Sequence, residues 1–502
     1  MRKWWPLVAV CAGTFMLLVD VTIVNVALPD MARELHTTFP DLQWVIDLYA
    51  LVLGALVLTA GSVADRFGRR RVYVIGMVVF AASSLACGLA PNVGVLIAAR
   101  GVQGLGAAAM FATTMALISS SYSGRDRGIA FGTWGAVNGA AAAAGPIIGG
   151  LLTTHFGWRW IFLVNLPVSV VAVVMTLLVV AESRDPQPRG VDVPGMVSFT
   201  VAAAALTYAL IRGAWGSGVT ISLVGVTVVA LVVFVVAERR TPNPMLDLSL
   251  LRNGSFTALL VAGALLSAAA WAGMAYESLW LQSVLGLSPI KAGLVVLPCS
   301  LAAFAVSGSI GRIMHRTSPR LLIGSGLLVI AAGALAQAVI RVGSGWAVVI
   351  PGLALVGIGA GLAMAPLSAT AMAAVPHSRA GMAGGAVSTF RQLGYAFGIA
   401  VLGEVFHAGL ARVAGPALAG ELSSGEAGAV MARSPALVPV VHHAFAAGLD
   451  ATFAVAAGLG VVGGVLVLVL VRPSKAAAEA PAGVSYETEG ESAGRSRRTA
   501  VR

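Results

Sequence analysis

The sequence predicts an all-α membrane protein of fourteen transmembrane spans with both termini cytoplasmic, and three observations predict it. The 502 residues are 58% hydrophobic and only 11% charged, with a mean hydropathy of +0.90, which a water-facing surface cannot accommodate. Apolar stretches recur along nearly the whole chain, each long enough as a helix of about 20 residues to cross a hydrocarbon layer of roughly 30 Å. Lysine and arginine fall overwhelmingly on one side of that succession of spans.

In order, charged or Pro/Gly breaks delimit spans at Trp5–Leu28, Trp44–Gly61, Val72–Ala90, Val93–Ile118, Gly128–Leu152 and Ile161–Ala181. A pair follows at Val191–Ile211 and Val219–Ala237. Six more lie at Phe256–Leu285, Ile290–Ile313, Arg320–Ile340, Trp346–Ala374, Gly381–Phe406 and His442–Val471. The organisation this implies is a six-helix bundle over 1–182, an inserted two-helix linker over 183–243, and a second six-helix bundle over 244–472. Residues 409–440 form a Gly, Ala and Ser-rich outer loop, and 473–502 a polar tail expected to be disordered.

Charge tests this layout. One side collects Arg66, Arg69, Arg70, Arg71, Arg125, Arg127, Arg184, Arg189, Arg239 and Arg240 in the first half alone, while the other receives Arg33, Arg159, Arg212, Lys291, Arg341, Arg412 and Arg433 in the whole chain. A missed span would scramble the asymmetry downstream, so the even count and cytoplasmic termini are expected together. A weak repeat supports two halves in the same orientation: Gly61-Ser62-Val63-Ala64-Asp65-Arg66 follows the second span, and Gly308-Ser309-Ile310-Gly311-Arg312 ends the second span of the last six.

Composition also excludes several classes. The net charge of +11 is dispersed over short loops and forms no continuous basic face for nucleic acid. Cys11, Cys87 and Cys299 lie in apolar segments without metal-ligand spacing and read as free packing thiols. Arg2 and Lys3 lead into the first apolar run without a small-residue cleavage site, so that span is expected to be retained. There is no G-x-x-x-x-G-K-[ST] phosphate loop and no soluble catalytic domain, so neither an enzyme nor an ATP-driven pump is expected.

Chemistry concentrates where polar residues interrupt apolar runs. Asp20 sits inside the first span, and a charge at that depth costs roughly 2.5 to 3.5 kcal/mol, so it needs a wet cavity or a partner. Such an acid can exchange a proton for a cationic substrate, or brace a neighbouring helix through hydrogen bonds. Arg100 and Gln103, one turn apart in the fourth span among small residues, can either hold first-span polar groups for proton coupling or serve as a structural hub. Gly61, Asp65, Arg66, Gly68, Arg69 and Arg70 make a tight turn with an acid among arginines, suited to a cytoplasmic gate; orientation alone explains the arginines but not Asp65 or Gly68. Gly132, Gly145, Pro146, Gly149 and Gly150 in the fifth span predict a bend and close packing. Glu277, among Trp271, Tyr276 and Trp280, can bind a hydrophobic cation with aromatic help and is expected to face Asp20; ordinary interfacial aromatics around an acid are the alternative. Asp47, near the outer end of the second span, is a further acid.

In this order, these segments resemble the major facilitator superfamily, and within it the fourteen-span drug:proton antiporter branch. The loop from Gly61 to Arg71 is similar to the family's loop after span two, Leu96–Ala108 to its fourth-span Arg motif, Gly145-Pro146-Ile147-Ile148-Gly149-Gly150 to its fifth-span antiporter motif, and Leu18–Pro29 to the first-span Asp motif. The likeness extends to Trp158–Pro167 and to Arg391-Gln392-Leu393-Gly394, while Val63 and Ala141 depart from the family's usual Leu and Gly. The resemblance implies a major facilitator fold of two six-helix bundles, with Asp20 a proton- or cation-binding acid, Arg100 a coupling residue, and Asp65 with Arg66, Arg69 and Arg70 the gate.

The expected function is then export of hydrophobic, chiefly cationic drugs or antibiotics by alternating access, driven by the proton motive force without a cofactor. The protein is expected to work as a monomer among the lipids of a bacterial inner membrane, with protons and a small substrate as partners and no nucleic acid. The other readings are an exporter or symporter of a lipid, siderophore or other metabolite on the same fold, and a transporter-like sensor that no longer transports.

Overall fold

A computed structural model describes residues 2–37, 39–184, 192–212, 216–242, 244, 246–314, 317–376, 379–423 and 425–472. The tail over 473–502 and the side chains of some helical residues, Asp47 and Pro146 among them, lie outside the described residues. Among the described residues all regular structure is helical. The first set comprises α1 (Trp5–Glu34), α2 (Phe39–Phe67), α3 (Arg69–Gly88), α4 (Val93–Ser121), α5 (Gly124–Phe156), and a final span made of α6 (Trp160–Leu163) and α7 (Asn165–Val179). Next come α8 (Val193–Arg212) and α9 (Gly218–Arg240).

The second set opens with one span in pieces: α10 (Gly254–Ser267), a π-helical turn at Ala268–Ala272, α11 (Met274–Leu279) and a second π turn at Trp280–Val284. It continues through α12 (Pro289–Ile313), α13 (Pro319–Gln337), α14 (Ile350–Ala373) and α15 (Ala380–Ala414). Two short helices, α16 (Pro416–Ser423) and α17 (Ala427–Arg433), precede α18 (Val438–Leu470). The expected outer loop is therefore largely helical: its alanines favour helix, and Gly415 and Gly425, at φ 79° and 92°, break it into pieces.

Polar caps start several helices. Asn92, Ser217 and Ser288 accept from the backbone N–H three residues on, and Asn253 from those of Ser255 and Phe256. Eleven helical stretches among the described residues are long and apolar enough to cross a membrane, and twelve when Trp44–Val57 and Thr59–Phe67, bent by 52°, count as one. Shorter apolar stretches lie at Ile147–Phe156 and Val193–Ala209. The protein is thus a multi-pass membrane protein.

Small residues set the packing, because helices in lipid associate through close contact and not through the hydrophobic effect. In α3 and α4, a Cβ built on Gly76 would lie 2.9 Å from the Gly106 carbonyl oxygen, and one on Gly106 would lie 2.6 Å from that of Gly76. The same reciprocal approach joins α13 and α14 through Gly326 and Gly359, at 2.7 and 2.4 Å. The two sets meet in a matching exchange, α5 against α12 and α2 against α15. Helix α8 packs on both α2 and α15, with Thr59 bonded to Thr200 at 3.2 Å and the Trp44 and Tyr208 rings 5.2 Å apart.

Candidate functional site

The polar residues of the first set converge on one buried hub. Arg100 and Gln103 lie three residues apart on α4 and so share a face. Arg100 Nη1 donates to Asp20 Oδ2 at 2.6 Å and to Gln103 Oε1 at 2.8 Å, and its Nε donates to the Val45 carbonyl at 2.9 Å. Asp20 Oδ1 accepts from Gln103 Nε2 at 3.0 Å and from Asn165 Nδ2 at 2.8 Å. Ser84 accepts from the same two amides, at 3.3 and 3.0 Å, and donates to the Phe162 carbonyl at 2.9 Å. Tyr49 lies under the guanidinium at 4.1 Å. Asp20, Arg100 and Gln103 are fully buried, so in this conformation the acid meets its partners and no water-filled space. A buried ion pair survives desolvation only when its remaining lone pairs and protons are bonded, and the amides of Gln103 and Asn165 do this for Asp20.

At the α2–α3 turn, Gly68 takes φ 111°, a conformation glycine adopts without strain. Asp65 Oδ1 accepts from Arg69 Nε at 2.9 Å and pairs with its Nη2 at 2.8 Å. Glu182, beyond α7, accepts from the backbone N–H groups of Arg70 and Arg71 at 3.0 and 3.2 Å, placing a carboxylate on the N-terminus of α3. Arg70 Nη1 donates to the Val180 carbonyl at 3.1 Å, whereas Arg66 points outward beside Phe67. The turn is thereby tied to the end of the sixth span.

Along α5 the expected hinge glycines are contact points. A Cβ on Gly132 would sit 2.6 Å from the Ser307 carbonyl of α12, and one on Gly150 would sit 2.4 Å from Ile290; Gly145 and Gly149 press on Thr22 and Ile23 of α1. The backbone of α5 stays helical from Gly124 to Phe156, and close approach to α1 and α12 is what these glycines visibly serve.

Glu277 departs from its expected surroundings. It is fully buried between the two π turns, and neither carboxylate oxygen has a hydrogen-bond partner among the described residues. The small cavity it touches is lined wholly by residues between Ala269 and Phe453, so it does not face Asp20, which is enclosed by the first set. Its aromatic neighbours are occupied too: Tyr276 donates to the Ile399 carbonyl at 2.6 Å and packs on Phe406 with ring centroids 5.0 Å apart, and Trp280 is buried. The Asp47 side chain lies outside the described residues.

Sequence reasoning missed Asn165, Ser84, Glu182 and Gln337 as members of these sites. Asn165 carried a usable signal, an amide inside an apolar run, as did Arg391, whose Nε and Nη1 are buried without partners among the described residues. An open apolar groove of about 540 Å³ runs between α1 and α5, lined by Trp4, Leu7, Val8, Cys11 and Phe15 on one side and Ile129 and Val137 on the other.

Comparison with known proteins places this architecture. Residues 10–399 match the Major Facilitator Superfamily profile. The chain is 39% identical to the multidrug resistance protein Stp of Mycobacterium tuberculosis over 82% of its length and 77% of that protein's. It is 36% identical to the puromycin resistance protein pur8 of Streptomyces alboniger, covering 80% and 82%, and 31% identical to the tetracenomycin C resistance and export protein of Streptomyces glaucescens, covering 93% and 91%. Its fold is similar to that of the human organic anion transporter MFSD10, with a TM-score of 0.62 over 93% of this chain and 99% of that one at 16% identity. The chain belongs to the major facilitator superfamily and is a transporter, not an enzyme.

Proposed function

We propose that this chain is a proton-coupled antiporter of the fourteen-span branch that exports hydrophobic, chiefly cationic drugs or antibiotics by alternating access. In this reading the protein is a monomer in a bacterial inner membrane with both termini cytoplasmic, built of bundles over 1–182 and 244–472 with the pair over 183–243 inserted between them. The observation that carries the reading is the Asp20–Arg100–Gln103–Asn165–Ser84 hub, an ionisable pair sealed inside the first bundle. Intramembrane charges of this kind mark ion pathways. Protonating Asp20 removes its attraction for Arg100 and loosens α1 from α4, so the hub can register the proton while the α5–α12 and α2–α15 contacts carry the motion. Supporting a hydrophobic cargo are the apolar α1–α5 groove and relatives named for multidrug, puromycin and tetracenomycin C resistance.

Arg391 favours a second reading, in which the cargo is a metabolite or lipid bearing an acidic group, because an anion would satisfy its two unpartnered nitrogens. One experiment addresses both: a susceptibility panel of cationic and acidic compounds on cells expressing the intact chain or Asp20→Asn. Resistance to cations that Asp20→Asn abolishes supports the first reading. Resistance confined to acids supports the second, and resistance untouched by Asp20→Asn removes the coupling role of the hub.

A further inference from the structure

The second bundle holds an unsatisfied pair that the Asp20 hub does not explain. Glu277 is at 0% exposure with both carboxylate oxygens unpartnered. Gln337 on α13, at 3% exposure, commits its amide nitrogen to the Gly333 carbonyl at 3.3 Å, and this fixes Oε1 as the atom left unpartnered. Both residues line one cavity of about 10 Å³, room for about one water, closed by Leu353 and Val356 of α14 and Phe453 of α18. The unpartnered side-chain atoms recorded at this space are acceptors, so a donor would satisfy them.

Among the described residues no cation lines this cavity, and the buried Arg391 of α15 lies against Gly263 of α10, more than three helical turns before Glu277. The titratable group within electrostatic reach on α12 is the Cys299 thiol. On α15, Tyr395 and Glu404 lie near Tyr276, and on α18, Asp450 lies near Ile340 and Arg341, outside the cavity lining. An ionised carboxylate so placed has no compensation, and a buried acid then holds a proton in preference to a charge. A sodium ion would need a shell of several oxygens, which a glutamate and one amide in a single-water space do not provide.

We propose that Glu277 is a proton-binding site of the second bundle, separate from the Asp20 hub, with Gln337 positioning it through one water. A hydronium reaching the cavity gives its proton to a Glu277 carboxylate oxygen, leaving a carboxylic acid and a water. The acid O–H donates to that water, and the water donates to Gln337 Oε1. Release runs in reverse, returning a carboxylate and a hydronium. The π turns at Ala268–Ala272 and Trp280–Val284 bracket Glu277, and such turns gather at functional sites where a helix can change register, so they offer the acid a way out to water. The coupling role of this site rests on the antiporter reading; the protonation itself does not.

The test uses the full chain reconstituted in lipid, with infrared difference spectra and ethidium transport measured on the same preparations. At neutral pH, wild type minus Glu277→Gln shows the C=O stretch of a buried carboxylic acid, and Gln337→Leu moves that band and its titration midpoint. Absence of the band at neutral pH, or a band shifted by sodium at constant pH, overturns the proposal. Should Glu277→Gln fail to fold, Gln337→Leu alone decides, an unmoved band being the contrary result. In transport, Glu277→Gln loses gradient-driven ethidium accumulation but keeps ethidium exchange without a gradient; accumulation equal to wild type overturns the coupling role of this site and leaves the antiporter reading intact. A wild type indifferent to the gradient removes that reading instead, and the band still decides the protonation of Glu277.

Discussion

Arg100→Ala, Asp20→Asn and the double variant form a cycle whose outcome follows from the hub's geometry. Arg100 Nη1 contacts Asp20 Oδ2 at 2.6 Å with both side chains essentially unexposed, so removing the guanidinium strands a buried carboxylate on the amides of Gln103 and Asn165. Breaking a buried pair from one side costs about 3–5 kcal/mol. Asp20→Asn strands the cation instead, although the Val45 carbonyl, Gln103 Oε1 and the Tyr49 ring still hold Arg100, so its loss falls near the lower end of that range. In the double variant neither charge is left unpaired, and the loss should be smaller than the sum of the singles by about 1–3 kcal/mol. Denaturant titration in detergent micelles, followed by the fluorescence of the 10 tryptophans, measures all four proteins. Additive losses would refute the claim that Asp20 and Arg100 neutralise one another inside the bundle.

Three further outcomes follow from other parts of the molecule. A Cβ on Gly135 would lie 3.6 Å from Ser307 Cβ, within the span a disulfide bridges, so Gly135→Cys with Ser307→Cys should cross-link α5 to α12 under oxidant; transport should stop and return on reduction, and transport undiminished in the cross-linked protein would contradict motion at this seam. Gly132→Ala places a methyl 2.6 Å from the Ser307 carbonyl and should lower stability by about 1–3 kcal/mol in the same titration, whereas an unchanged midpoint would mean that α5 and α12 part freely. Glu182→Gln removes the charge bonded to the Arg70 and Arg71 amides and should cost about 0.3–1 kcal/mol, an effect that salt should diminish; equal loss at low and high salt would argue for packing instead.

What could be read in the sequence was depth; what could not was direction around each helix. Asp20, Arg100 and Gln103 stand out because a charge or amide in an apolar run is conspicuous along one dimension. Their convergence depends on how α1 and α4 are rotated against each other, and Ser84 and Asn165 complete the hub from α3 and α7, a closure no periodicity encodes. Glu277 illustrates the limit. Its depth was legible, but the π turns on either side of it, and the Gln337 amide lining the same cavity, come together only once four spans are packed. The glycines of α5 were legible as small residues; that Gly132 and Gly150 serve α12 while Gly145 and Gly149 serve α1 was not. Glu182 reaches Gly68 across more than a hundred residues of chain, a contact set by the way the sixth span returns to the α2–α3 turn.

The central claim is that proton occupancy of ionisable groups sealed inside these bundles drives cargo movement, and its most direct measurement is ethidium accumulation in proteoliposomes under an imposed pH difference. Wild type is predicted to concentrate ethidium only while the difference lasts, and Asp20→Asn to equilibrate it without concentrating it. Accumulation that survives collapse of the pH difference, or an Asp20→Asn protein that concentrates ethidium as wild type does, would contradict the account.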